Sequence, residues 1–207
     1  MEKLFIHARS DIDIKLPEEH IKNLKGKIGL ITTIQHLHKI GEVTEQLDSV
    51  VGGQVLGCDA SKAVSIKDDV DSFLYIGTGQ FHPIEVALKT GKTVQTYNPE
   101  TKELSEVDQQ QIEKILKRRK GAYLAYLNSE NVGVLISTKP GQFNPDYGLS
   151  DGKSYYYFVG DMITPGELEN FPFIDCWVNT ACPRIAEDSF SKPVINLVDL
   201  QALIQDP

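Results

Sequence analysis

The sequence is poor in the features that would mark a secreted, membrane-bound or nucleic-acid-binding protein. Three cysteines in 207 residues, Cys58, Cys176 and Cys182, are too few and too odd in number for a disulfide framework. In a reducing compartment they are core thiols or ligands. No apolar run approaches the ~20 residues of a membrane span, and the stretch from Met1 to Arg9 turns charged again within a few positions. Positive charge is outweighed: Lys and Arg number 21 against 29 Asp and Glu, and the net charge of −8 repels phosphates. The expectation is a cytoplasmic protein with no membrane span and no free nucleic acid as partner. What is present, 41% hydrophobic and 24% charged residues, suffices for one large or two small globular domains.

Short apolar, β-branched runs predict strands over 27–33, 73–77 and 93–97. Between them, Leu37, Ile40, Val43, Thr44 and Leu47 stand at helical spacing within 35–50, and a second helical stretch around Glu85 to Leu88 closes at Gly91. After Asn98-Pro99 a long amphipathic helix is expected over 107–128. Its basic residues Lys114, Lys117, Arg118, Arg119 and Lys120 form a solvated face. Further strands follow at 132–137, 155–159, 174–181 and 193–197, with a helical turn at 165–170. Continuous apolar strands alternating with helices indicate α/β architecture: two small parallel-sheet, Rossmann-like domains, residues 1–106 and 107–207. Gly133-Val134-Leu135-Ile136-Ser137-Thr138 echoes Gly29-Leu30-Ile31-Thr32-Thr33, as two related halves would. The segment 143–154 is rich in turn formers, so the crossover it makes is short of a helix and predicts an uncovered apolar sheet face.

Chemistry-bearing residues gather at the expected strand ends, where open α/β sheets bind ligands. Cys58 lies in the glycine-rich run Gly52-Gly53-Gln54-Val55-Leu56-Gly57-Cys58-Asp59, which follows the 35–50 helix, and Cys182 follows the strand 174–181. Neither belongs to a close C-x-x-C pair, so spacing alone leaves both as core thiols or ligands. Cys176 and Cys182 are separated by six residues, ~20 Å along an extended strand, beyond a shared coordination sphere. His36, His38 and His82 mark strand-to-helix turns, where free N–H groups hold carboxylates or phosphates.

Five motifs occur in order: Thr32-Thr33-Ile34-Gln35-His36-Leu37-His38, Gly53-Gln54-Val55-Leu56-Gly57-Cys58, Tyr75-Ile76-Gly77-Thr78-Gly79-Gln80-Phe81-His82-Pro83, Lys139-Pro140-Gly141-Gln142 and Ala181-Cys182-Pro183-Arg184. Together they resemble the archaeal-type 2-(3-amino-3-carboxypropyl)histidine synthase family, which begins diphthamide synthesis. In that family three small α/β domains each give one cysteine to a [4Fe-4S] cluster. Its open iron binds S-adenosylmethionine, and a 3-amino-3-carboxypropyl radical adds to a histidine of translation elongation factor 2.

The resemblance implies Cys58 and Cys182 as cluster ligands of the family's second and third domains. It implies Gln35, His36, Gly77, Thr78, Gly79, His82, Gln142, Asp161 and Arg184 as residues that bind or orient S-adenosylmethionine. It further implies that residues 1–17 are the exit segment of a first domain, entered by its final strand, and that most of that domain and its cysteine are absent. The missing thiolate would then come from a homodimer partner or a second synthase chain. The alternative is a non-catalytic accessory or binding subunit of the synthase.

Overall fold

The structure, a computed structural model, describes residues 4, 6, 8–144 and 148–205. It divides into two compact units, Met1–Ile112 and Glu113–Pro207. The division falls inside one helix, a few residues beyond the boundary read from the sequence. Among the described residues no helix is long and apolar enough to cross a membrane.

In the first unit, α1 (Glu18–Ile21) leads to β1 (Ile28–Thr32), a 3₁₀ turn at Leu37–Lys39, α2 (Ile40–Thr44) and β2 (Ser49–Gln54). Then come α3 (Ser61–Ser65), β3 (Ser72–Ile76), α4 (Phe81–Thr90), β4 (Val94–Asn98) and β5 (Glu103–Glu106). The sheet order is β2-β1-β3-β4-β5, parallel except for β5, which pairs antiparallel with β4 at the edge. Central β1 is buried at every position because both faces are covered. Ile31, Phe73 and Tyr75 pack with Val86 and Ala87 of α4 on one face. Leu30, Leu74, Ile76 and Tyr97 pack with Ile40 and Val43 of α2 on the other.

Two sequence expectations change here. The helix expected over 35–50 ends at Thr44, residues 45–48 turn, and β2 starts at Ser49, its glycines making a bulge. Leu30 pairs with Val51 and Ile31 with Gly53, leaving Gly52 as the extra residue, and Gly53 takes φ 92°. The segment read as a strand and exit at 1–17 forms no strand among the described residues; 1–3, 5 and 7 lie outside them. Ile14 and Leu16 are instead part of the core, 2% and 3% exposed. Leu16 donates its N–H to Gln46 Oε1 (2.9 Å), and Tyr97 donates its hydroxyl to Lys15 O (2.7 Å).

The second unit begins within α5 (Gln109–Asn128) and continues through β6 (Asn131–Ser137), β7 (Ser154–Gly160), α6 (Pro165–Leu168), β8 (Cys176–Asn179), a 3₁₀ helix at Pro183–Glu187, β9 (Val194–Asn196) and α7 (Leu197–Gln205). Its sheet, β7-β6-β8-β9, is parallel throughout. Numbered within each unit, the second sheet runs 2-1-3-4 and the first repeats that order with β5 added at the edge, so the sequence echo has a topological counterpart. It also has a packing one. Gly29 of β1 pairs with Phe73 of β3, and Gly133 of β6 pairs with Trp177 of β8. In each case the aromatic ring lies where the glycine's Cβ would be.

The β6–β7 crossover has no helix among its described residues, with 145–147 outside them. The apolar face it was expected to leave bare is covered over β6 and β8 but not over β7, where Tyr157 and Val159, on the face of Val134 and Ile136, are 54% and 63% exposed. Val132, Cys176 and Val178, each 0% exposed, pack with Ala122 and Tyr126 of α5 and with Leu197 and Leu200 of α7, a helix the sequence reading missed. Leu149 of the crossover joins this cluster. The crossover's end is pinned by hydroxyls: Tyr126 donates to Asp151 Oδ2 (2.8 Å), Tyr155 donates to Asp151 Oδ1 (2.6 Å), and the two phenols are 2.7 Å apart.

Candidate functional site

The parallel order puts the turns after β1, β2 and β3 side by side at the carboxyl edge of the first sheet, because β1 lies between β2 and β3. Cys58 is in the turn after β2. Val55 extends the ladder by donating to Thr32 O (2.8 Å), and Leu56 and Asp59 then exchange two backbone hydrogen bonds (2.8 and 3.1 Å). Gly57 and Cys58 are thus the tip of a closed turn, with Gly57 buried and the Cys58 thiol exposed. Asp59 anchors the far side, its Oδ1 accepting the Ser61 N–H at 2.9 Å. Hydrogen bonds from the Ser61 side chain and backbone hold the Asp59 carboxyl below the usual range.

In the turn after β3, Gly77 is buried with φ 149° and exposed Gly79 has φ 78°, while exposed Thr78 stands between them. These positive φ values admit glycine with little strain and disfavour other residues. His82 is the second residue of α4 and half-buried. In the turn after β1, Gln35 is exposed, whereas His36 is 4% exposed with no partner for Nδ1 among the described residues. Burial pushes the His36 pKa down, with neighbouring His38 and Lys39 adding to the effect and Glu100 opposing it, so the ring is neutral. Thr33 Oγ1 in the same turn is also buried without a partner. Two unpaired polar atoms in one turn carry a desolvation cost that a bound polar group would remove.

In the second unit the turns after β6, β7 and β8 are adjacent in the same way. Gln142 is half-buried after β6, and Asp161 is exposed directly after β7. Cys182, partly exposed, caps the 3₁₀ helix that carries exposed Arg184. Asn179, 2% exposed, is the organiser that sequence reading missed. Its Nδ2 donates to Cys182 O (2.9 Å) and to Asn196 Oδ1 (2.7 Å), while its Oδ1 accepts the Ala181 N–H (3.1 Å). The available signal was a lone Asn closing an apolar strand three residues before a cysteine. Asp161 and Arg184 thus share the edge of their sheet with Cys182; Gln35, His36, Gly77, Thr78, Gly79 and His82 share the other with Cys58.

Cys176 differs from both other thiols. It is 0% exposed in β8, and burial pushes its pKa up to about 12, which keeps it a thiol. Accessible Cys58 and Cys182 have the donor chemistry of iron–sulfur ligation. Among the described residues no group of three or more His, Cys, Asp or Glu gathers to hold a metal ion, and each of these two thiols offers one ligand. Iodoacetamide added to the native chain is expected to label Cys58 fastest, Cys182 more slowly, and Cys176 only on unfolding. Peptide mass mapping over time checks the order, and early labelling of Cys176 contradicts the burial argument.

The family described as "Putative diphthamide synthesis protein" matches the chain over residues 1–207. The chain belongs to this diphthamide synthesis family. The 2-(3-amino-3-carboxypropyl)histidine synthase of Pyrococcus horikoshii is 31% identical over 208 aligned residues, covering 89% of this chain and 59% of the relative. That of Methanocaldococcus jannaschii is 32% identical over 194, covering 88% and 53%. The crystal structure of Dph2 from Pyrococcus horikoshii superposes with a TM-score of 0.76 at 29% identity, over 90% of this chain and 60% of that one. Dph2 from the same organism with a 4Fe-4S cluster gives 0.73 at 30% identity, over 91% and 60%. The chain therefore spans somewhat more than half the length of these family members.

Proposed function

We propose that this chain works in the first step of diphthamide synthesis, as a cytoplasmic aminocarboxypropyl transferase or the part of one formed by the family's second and third domains. The observation that carries the reading is the pairing of two accessible thiols, Cys58 and Cys182, with the carboxyl edges of two parallel sheets in a chain of this family. Each thiol serves as a ligand to a [4Fe-4S] cluster, and at least one further thiolate comes from outside the described residues. The relative with a 4Fe-4S cluster supports this assignment.

The reaction breaks the Cγ–S bond of S-adenosylmethionine and forms a C–C bond to imidazole C2 of a histidine in translation elongation factor 2, releasing methylthioadenosine and a proton. A reduced cluster, when bound, would supply the electron for this cleavage and recover it as the product forms, so that the transfer is redox-neutral. The residues of this chain bind and orient. Arg184 grips the carboxylate of the aminocarboxypropyl group, and Asp161 meets its ammonium. Gln142 at the second sheet's edge and the Gly77–Gly79 turn at the first's each offer donors to an anionic group, while Gln35, His36 and His82 orient what binds at the first edge.

Anaerobic reconstitution with iron and sulfide, alone and after co-expression with a cysteine-bearing synthase chain from the same source, tests this. Co-expressed protein is expected to bind the cluster, release methylthioadenosine and add the aminocarboxypropyl mass to the elongation factor; the chain alone is expected to be nearly inactive. Full turnover by the chain alone would overturn the ligand argument. No cluster in either preparation would favour the accessory-subunit reading, which the lack of a gathered ligand group among the described residues also suits.

A further inference from the structure

The turn that presents Cys58 and the turn that holds Gly77–Gly79 belong to different strands, and a column of three aromatic rings joins them. A Cβ built on Gly57 would fall inside the ring of Phe81, so the ring rests directly against the Gly57 backbone. The demand on Gly57 is space alone, since its φ lies outside the left-handed region. Phe81 is the first residue of α4 and packs edge-on against His82, with centroids 5.7 Å apart at 75°. His82 in turn stacks on Tyr75, at 6.0 Å and 9°.

Tyr75 is 1% exposed within β3 and donates its hydroxyl to Thr78 O (3.4 Å). A Cβ on Gly77 would stand 2.9 Å from that hydroxyl oxygen, so the ring lies against the Gly77 backbone. An aromatic column, Tyr75–His82–Phe81, therefore runs from the Gly77–Thr78 backbone to Gly57. Gly57 and Cys58 are the tip of a turn closed by two hydrogen bonds. Their Cα atoms stay ~3.8 Å apart across one trans peptide, so whatever displaces Gly57 displaces Cys58.

We infer that Phe81 is a positioning residue: through Gly57 it sets where the Cys58 thiol stands relative to the Gly77–Gly79 turn, with His82 and Tyr75 holding the ring in place. The inference rests on the functional reading above, in which Cys58 ligates the cluster and that turn offers donors to an anionic group. Its consequence is geometric. A ligand turn that shifts changes how the cofactor's sulfonium lies toward the metal, even where the cluster still assembles.

The test has two arms. In the apo chain with Cys182→Ser, the rate of Cys58 modification by a maleimide is measured for Phe81→Ala, Phe81→Leu, Gly57→Ala and the double variant Gly57→Ala/Phe81→Leu. In the co-expressed, cluster-loaded protein with Cys182 intact, the electron paramagnetic resonance spectrum of the reduced cluster is compared with and without S-adenosylmethionine. Phe81→Ala and Gly57→Ala are expected to change the Cys58 rate several-fold and to blunt the cofactor-induced spectral change. Phe81→Leu in the Gly57→Ala background is expected to restore part of both, because the smaller side chain makes room for the added methyl.

Phe73→Leu, in the same core but paired with Gly29, is the structural control. It should lower the melting temperature and leave both readouts unchanged. If the Phe81 and Gly57 variants behave like Phe73→Leu, the positioning role is wrong. If Cys58→Ala leaves the cluster intact, the functional reading fails instead, and the apo modification rates still decide whether Phe81 positions the turn.

Discussion

Replacing Cys58 or Cys182 with alanine should abolish iron and sulfide binding by the co-expressed, reconstituted protein, while Cys176→Ala leaves it close to wild type. The difference follows from where the thiols are. A ligand must ionise, and Cys58 and Cys182 meet solvent at turn positions, whereas Cys176 sits in β8 with its pKa pushed up to about 12 by burial. Cys176→Ala carries a different penalty, a cavity among Val132, Val178 and Leu200, which should lower stability without touching the metal. Iron and labile-sulfide content, measured beside thermal melts, separates the two effects. Equal loss of iron in all three variants would mean that Cys176 is reached by a rearrangement of β8, and the ligand assignment would fall.

The second large effect is expected from the glycine in the middle of β6. Gly133→Ala would drive a methyl into the ring of Trp177, itself 1% exposed and packed edge-on against Phe158 with centroids 4.9 Å apart. Losing a flexible glycine stabilises by about 0.4–1 kcal/mol through the unfolded chain. Overpacking costs about 1–3 kcal/mol, so the net effect is destabilising. In a unit of this size each kcal/mol lowers the melting temperature by roughly 4–8 °C. Gly29→Ala should act likewise on the first unit, where the added Cβ would stand 2.6 Å from Phe73 Cδ1. Gly121→Ala in α5 meets nothing within 4 Å and should instead raise stability. Melting followed by circular dichroism checks all three, and a neutral Gly133→Ala would show that Trp177 has room to move.

The parts of this fold that were legible in the sequence are those where the local pattern and the tertiary environment agree. β1, β3, β4 and β6 read correctly because a buried parallel strand needs an unbroken apolar run, β7 because its aromatic and β-branched run favours a strand even at an exposed edge, and α5 because its length and period exceed anything a strand can carry. β2 was missed because Leu37 to Leu47 keep helical spacing past Thr44, which carried the helix on to Val50, and the rest of the strand read as a glycine-rich run. Nothing local marks the Gly52-Gly53 bulge as a strand. β5 and α7 were missed because the run Glu103 to Glu106 has Leu104 as its single apolar residue, and because α7 follows β9 with no turn to announce it.

The candidate site divides the same way. Residue types and their order were enough to single out Cys58, Cys182 and the turns at Gln35, Gly77 and Arg184, because turns, helix starts and thiols carry their chemistry locally. The sequence by itself also determined the α/β class and its two related halves, since hydrophobic periodicity is set along the chain. Only the tertiary structure decided that Cys176 is inert, that Asn179 moors Cys182 and that Phe81 backs Gly57. Burial, hydrogen-bond partners and close approach depend on what other segments bring to a residue, and no spacing within one segment encodes them.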